Sequence, residues 1–159
     1  KLGKNFNLGF DYIDVKDAWA KDATGPSMKL KAFKAMYTAD QWKLGADYIL
    51  GDKDVDNIVG GGKNGYIVML GVGNAKANKV GSVGLWANYY NQPAATFVNN
   101  TFNAAYDKAA GFKGYGVGID YTVAKNMIAG IQYFDLKDKS DNTKDLKRKT
   151  LWSQLVITF

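Results

Sequence analysis

Strict alternation of apolar and polar residues over short stretches is the feature that most limits what this chain can become. A repeat of two puts alternate side chains on opposite faces of an extended strand, whereas a helix needs a repeat near 3.6. In the first stretch Phe6, Leu8, Phe10 and Tyr12 oppose Asn5, Asn7, Gly9 and Asp11. Around 29–37, Phe33, Ala35 and Tyr37 oppose Ala32, Lys34 and Met36, the least regular case. Trp42, Leu44, Ala46, Tyr48 and Leu50 then face away from Lys43, Gly45 and Asp47. A fourth run holds Tyr66, Val68, Leu70 and Val72, and a fifth Val83, Leu85, Ala87 and Tyr89. Tyr115, Val117, Ile119, Tyr121 and Val123 oppose Gly114, Gly116, Gly118 and Asp120. Met127, Ala129, Ile131 and Tyr133 make the seventh run, and Leu151, Ser153, Leu155, Ile157 and Phe159 the eighth.

Composition agrees with an all-β chain and removes several chemistries. The 159 residues suit one domain, 1–159. All 15 acidic residues are Asp, so the Glu that favours helix surfaces and capping boxes is missing. Neither Cys nor His occurs. That excludes disulfides, thiolate chemistry and the Ser-His-Asp and Cys-His hydrolases, and it removes the commonest zinc ligand. No cofactor is expected, and no enzymatic activity. The net charge is +6, but Lys and Asp interleave, as in Asp14-Val15-Lys16-Asp17, and Arg148 is the sole Arg. Nucleic-acid binding, which needs basic residues gathered on one face, is not expected.

No stretch approaches the roughly 20 apolar residues of a transmembrane helix. Strands cross a bilayer differently, by alternation in a closed barrel. The connections support that layout. Those at 38–41, 74–79 and 124–126 are tight; those near 14–28, 51–65, 91–111 and 136–148 are long and polar. Long loops therefore gather at one end of the sheet. The strong face carries aromatics near both strand ends: Tyr12, Tyr48, Tyr66, Tyr89, Tyr115 and Tyr133 toward the long loops, and Phe6, Tyr37, Trp42, Tyr121 and Phe159 toward the short turns. Two aromatic girdles flanking an apolar band suit membrane interfaces. The weaker face is rich in Gly, Asn, Asp, Ser and Gln, which suits a narrow hydrated lumen better than the long charged residues of a water-facing exterior. A soluble barrel carrying apolar ligands is the competing architecture.

The ending Leu151-Trp152-Ser153-Gln154-Leu155-Val156-Ile157-Thr158-Phe159 resembles the last strand of bacterial outer-membrane barrels, with Leu155, Ile157 and Phe159 at alternate positions and a terminal aromatic. The stretch from Gly111 to Asn126, followed by Met127 to Leu136, is similar to the last hairpins of porins, most of all the OmpM-like porins tethered by an S-layer-homology segment. Those porins are much longer, so the resemblance is to their C-terminal part, without tether or stalk. It implies an integral protein of a bacterial outer membrane with periplasmic termini. Its implied partners are outer-membrane lipid and lipopolysaccharide, the barrel-assembly machinery that reads the last strand, and copies of itself in a homotrimer.

The expected fold is thus an antiparallel up-and-down transmembrane β-barrel of eight strands, either a complete small barrel or the C-terminal half of a larger porin. The expected function is passive diffusion of small hydrophilic solutes or ions. The alternative is a closed, non-conducting barrel with an envelope-structural, tethering or adhesive role. Met36, Met69, Trp86, Phe134 and Trp152 share the lumen parity and are bulky enough to help fill a small barrel. Lys34 is expected to bridge Asp11 and Asp47 inside the barrel, since a buried cation needs partners. Lys43 and Arg148 would add positive charge at the two mouths. Gly114, Gly116 and Gly118 would thin one side of the lumen. Val98, Phe102, Tyr106 and Ala109 have helix-like spacing and suggest a helix folded toward the mouth. Asp52, Asp54 and Asp56 imitate a calcium loop but lack its Gly and bidentate Glu. Gly60 to Asn64 reads as a flexible loop and not a phosphate loop, because Asn64 replaces the required Ser or Thr.

Overall fold

In a computed structural model of the chain, residues 5–16, 27–54, 56, 60–98, 111–139 and 147–159 are described. They form one sheet of eight strands: β1 Phe6–Val15, β2 Met28–Ala39, β3 Trp42–Leu50, β4 Asn64–Gly73, β5 Val83–Gln92, β6 Phe112–Ala124, β7 Met127–Asp138 and β8 Lys147–Ile157. Each strand pairs antiparallel with the next, in chain order. A 3-10 turn, Ala94–Thr96, follows β5. The chain is therefore all-β and up-and-down, with every strand where alternation places it. Strands of 9 to 13 residues are long enough to cross an apolar layer when tilted. Two-residue turns join β2 to β3 and β6 to β7, each helped by a residue that tolerates positive φ, Asp40 at 51° and Asn126 at 63°.

Register turns the separate alternations into two continuous faces. Phe6, Tyr37, Leu44, Leu70, Ala87, Val117, Tyr133 and Leu151 are successive cross-strand partners over all eight strands. One residue away, Met36, Gly45, Met69, Asn88, Gly116, Phe134 and Thr150 form the corresponding row on the other face. The buried residues lie on this second face and on the segment folded over it, so we call it concave. The apolar convex face stays open: Leu44, Leu70, Val117, Ile119 and Leu155 are all exposed, as are the aromatics Tyr12, Tyr37, Trp42, Tyr48, Tyr66, Tyr89, Tyr115 and Tyr121. Phe6 and Tyr133 are half-buried. A protein surrounded by water rarely leaves so wide an apolar surface uncovered.

Among the described residues the sheet has two unpaired edges, on β1 and β8. Pairing runs from β1 to β8, and among the described residues no ladder joins β8 back to β1. Side-chain exposure tells the same story. Convex residues of the inner strands, such as Val117 at 41%, are covered on both flanks; Leu8 on β1 reaches 64% and Leu151 on β8 reaches 73%. Trp152 and Val156, on the concave side of β8, are exposed too. Among the described residues, each edge leaves the N–H and C=O of alternate residues without a ladder partner, about five residues per edge. In hydrocarbon each such group costs several kcal/mol.

Candidate functional site

The concave face divides into an apolar half and a polar half. Near the long loops, Tyr90, Phe97, Phe112, Phe134 and Leu136 form a buried cluster, with Ile67 and Trp86 against it. The Phe112 ring meets Phe97 at 5.2 Å and Tyr90 at 6.0 Å between centroids, both edge-on, and Trp86 lies 6.0 Å from Phe134. The glycines of β6 make room for these rings. A Cβ on Gly116 would stand 2.6 Å from Cδ1 of Phe134, and one on Gly118 would run into the Trp86 indole. The expectation that Gly114 to Gly118 would thin the lumen wall is therefore corrected at two positions: the space above Gly116 and Gly118 is occupied by aromatic rings, which gain contact with exposed backbone where no side chain intervenes.

The segment after β5 folds back across this face. Pro93 to Phe97 is buried, and Ala95 packs with Met28 and Leu30 of β2, with Val98 beside them. Along the way the Asp52 N–H donates to the Ala95 carbonyl at 3.3 Å, and Thr96 Oγ1 donates to the Pro93 carbonyl at 2.7 Å. Two glycines permit the crossing. A Cβ at Gly51 would strike the Ala95 carbonyl, and one at Gly65 would come within 2.9 Å of Thr96 Oγ1. The segment thus spans from β5 over β4 and β3 to β2 and narrows the loop end of the concavity. Of the helix suggested near 98–109, Phe102, Tyr106 and Ala109 lie outside the described residues, and Val98 follows the 3-10 turn.

A second cover sits at the short-turn end. Ser82 Oγ accepts from the Lys76 N–H at 2.7 Å and donates to the Lys79 carbonyl at 2.6 Å. Thr122 Oγ1, fully buried, donates to the Lys76 carbonyl at 3.0 Å. Asn126 N–H reaches the Ala77 carbonyl at 2.7 Å. The turn between β4 and β5 is thereby pinned to β6 on the concave side.

Between these covers lies the polar half, on β1 to β3. Lys34 pairs with Asp11, both side chains nearly half exposed at 46% and 47%. Asp47 is directly opposite Lys34 in the ladder, yet Lys34 forms its ion pair with Asp11. Asp47 remains within electrostatic reach of Lys34, so the three groups meet as expected; what differs is that the ion pair is made with Asp11 and that its setting is half exposed and not buried. Among the described residues no strand flanks β1 on its outer side, and a half-exposed lysine there does not need a second carboxylate in contact. Lys43 is exposed at the short-turn end of β3, and Arg148 is half-buried at the loop end of β8. They sit at opposite ends of the sheet and do not form one charged ring. Leu155, Ile157 and Phe159 are exposed on the convex side of the last strand.

The acidic stretch after β3 serves the loop itself. Asp52 accepts from the backbone of Lys29 at 3.0 Å and of Asp54 at 2.8 Å, and Asp56 accepts from Gly62 N–H at 2.9 Å. Gly60, Gly61 and Gly62 all adopt positive φ, which glycine takes without strain. Lys139, just past β7, has its amine held below the usual lysine range, first by burial and then by Lys113, with Asp56 opposing.

Sequence reasoning missed Met28, Leu30, Ile49, Tyr90, Phe97, Phe112 and Leu136 as interior residues. Their signal was present: each strand among β2, β5, β6 and β7 carries large apolar residues on the weak face near its loop end. No protein-family model and no characterised protein matches the sequence.

Proposed function

We propose that this chain is part of the wall of a porin-type barrel in a bacterial outer membrane, through which small hydrophilic solutes or ions diffuse passively. The observation that carries this reading is the unbroken apolar row across eight strands, most of it exposed to the surroundings, on a face bordered by aromatics at both ends. Such a surface is satisfied by lipid. The free edges of β1 and β8 support a larger ring, completed by further strands from a longer chain or from additional copies. An eight-stranded ring would be filled by side chains, whereas about sixteen strands enclose water. The resemblance of the last hairpins to OmpM-like porins agrees with a C-terminal place in such a ring.

In this reading the crossing segment at Pro93 to Phe97 narrows the channel at the loop end. Solutes pass along Asp11, Lys34 and Asp47, whose mixed charge gives weak ion selectivity. No residue performs covalent chemistry. The aromatic cluster on β5 to β7 also favours a second reading, a closed and non-conducting barrel with a structural role, since Phe134 and Trp86 occupy space that a channel would leave to water.

Single-channel recording distinguishes them. Protein purified in detergent from its own membrane is added to a planar bilayer under a salt gradient. Uniform conductance steps with a small reversal potential are expected. Electrical silence from protein demonstrably inserted in the bilayer would refute diffusion and leave the closed barrel.

A further inference from the structure

The concave face of β5 to β8 carries polar and aromatic side chains that the path along Asp11, Lys34 and Asp47 does not use. One ladder row runs Trp86, Gly118, Gln132 and Trp152, and the next row toward the short turns runs Gly84, Asp120, Gly130 and Gln154. Two glycines form the floor. A Cβ on Gly118 would run into the Trp86 indole, so that ring lies across β6. A Cβ on Gly130 would stand 2.6 Å from Asp120 Oδ1 and 3.4 Å from Gln154 Nε2, so a carboxylate and an amide lean over β7 from its two sides. Phe134, 6.0 Å from Trp86, bounds the area on the loop side. The turn after β4 bounds it beyond β5, where a Cβ on Gly84 would stand 3.1 Å from Ala75 N. Trp152, exposed on β8, donates from Nε1 to Gln154 Oε1 at 3.4 Å.

Two of these polar groups do no work in the fold. Gln132 is only 9% exposed, yet among the described residues its amide has no hydrogen-bond partner. Asp120 makes neither an ion pair nor a side-chain hydrogen bond among them, although its carboxylate lies near the Gln154 amide. A nearly buried amide left unpaired is costly, so it marks a place that something else completes. The chemistry of that partner follows from the groups around it. Gln132 and Gln154 each offer N–H donors and a carbonyl acceptor, whereas Asp120 only accepts. Trp86 and Trp152 offer flat apolar faces. A sugar ring meets all of these at once, with hydroxyls that both donate and accept around its rim and C–H groups on its faces. An organic cation would suit Asp120 and the indoles, but it brings donors alone and leaves the Gln132 N–H groups unpaired. Three strand spacings, about 14 Å, separate the backbones of Trp86 and Trp152, which leaves room for more than one sugar ring.

We propose that Trp86, Asp120, Gln132, Trp152 and Gln154 form a binding site for a neutral oligosaccharide on the concave face. The assignment rests on the diffusion reading above and names saccharides as a solute class that this wall of the pathway holds.

The test is isothermal titration calorimetry on protein purified in detergent from its own membrane, with maltohexaose and cellohexaose as neutral probes and choline as the cationic one. At least one hexasaccharide is expected to bind, and choline is not. Trp152→Ala and Asp120→Asn should each weaken binding about tenfold or more, whereas Trp42→Ala, on the convex face, should leave it unchanged. Gln132→Met removes the unpaired amide at nearly constant volume. It should weaken binding as much, while its unfolding midpoint stays level or rises, which shows that the variant folds. A lower midpoint would assign the amide to the fold and overturn the proposal. So would failure of both hexasaccharides to bind, choline binding in their place, or equal loss in Trp42→Ala. In planar bilayers the bound hexasaccharide should interrupt the ion current, and Trp152→Ala should remove the interruptions. Uniform conductance from protein that binds neither hexasaccharide overturns this inference alone; electrical silence from inserted protein that still binds one refutes diffusion and leaves the site standing.

Discussion

The fit between Phe134 and Gly116 offers the sharpest energetic test of the interior. Phe134 is 2% exposed, and its ring lies over Gly116 within a cluster that includes Tyr90, Phe112 and Leu136. Phe134→Ala removes a buried ring whose neighbours are held by the ladder and cannot collapse fully, so it should cost about 3–5 kcal/mol. Gly116→Ala fails for the opposite reason. Its Cβ would stand 2.6 and 2.7 Å from two carbons of the Phe134 ring and 3.3 Å from Tyr90, and ordinary contact needs about 3.5 Å or more. The ring must move in a packed site, at about 1–3 kcal/mol. In the Phe134→Ala background the clash with that ring is gone, and only the milder 3.3 Å approach to Tyr90 remains. There Gly116→Ala gains strand order relative to glycine, about 0.5–1 kcal/mol, and fills part of the cavity. The double-mutant cycle should therefore be non-additive by about 2 kcal/mol or more, with the double variant at least as stable as Phe134→Ala alone. Equilibrium urea unfolding of the protein in detergent micelles, followed by tryptophan fluorescence, measures all four corners. Additivity within about 0.5 kcal/mol would refute the packing described for this face.

Further consequences concern the two faces and the loop end. Ile119→Arg, in the middle of the convex band, should destabilise the membrane-inserted protein by about 2–4 kcal/mol, whereas Gln154→Arg on the concave parity of β8 should cost about 1 kcal/mol or less; refolding into phosphatidylcholine vesicles under denaturant compares them. Lys34→Gln should change stability by about 1 kcal/mol or less, because its ion pair is solvated, while shifting the reversal potential toward cations. Lys139 should give a pH signature. Its folded pKa lies below 10.5, so the unfolded chain binds more protons between the two values. Stability should rise with pH through that window, after a full penalty below it. Lys139→Met should flatten the rise in unfolding midpoints, and an unchanged slope would remove Lys139 as its cause.

The strands were legible because alternation is a local property, and register then followed from short turns at Asp40 and Asn126. The interior was only half legible. Tyr90 stands beside Tyr89 in sequence, and a tyrosine doublet masks the fact that one ring points outward and the other into the core. The crossing of Pro93 to Phe97 depends on contacts with Gly51 and Gly65, distant in sequence, and no local pattern encodes such a meeting. The neighbourhood of Lys34 was foreseen from strand order, but its choice of Asp11 over Asp47 follows from side-chain geometry at an open edge.

Cysteine accessibility along β4 reports directly which face of the sheet meets lipid. The chain has no native cysteine, so single substitutions at Ile67, Val68, Met69 and Leu70 each report one position. By geometry alone, Val68 and Leu70 are the accessible pair, at 43% and 44% exposure. In membranes the reverse is expected for a charged, water-soluble thiol reagent: positions 68 and 70 react slowly and their fluorescent adducts are quenched by brominated lipid, while position 69 reacts faster and escapes quenching. Fast aqueous labelling at 68 and 70, with no quenching by lipid, would contradict it.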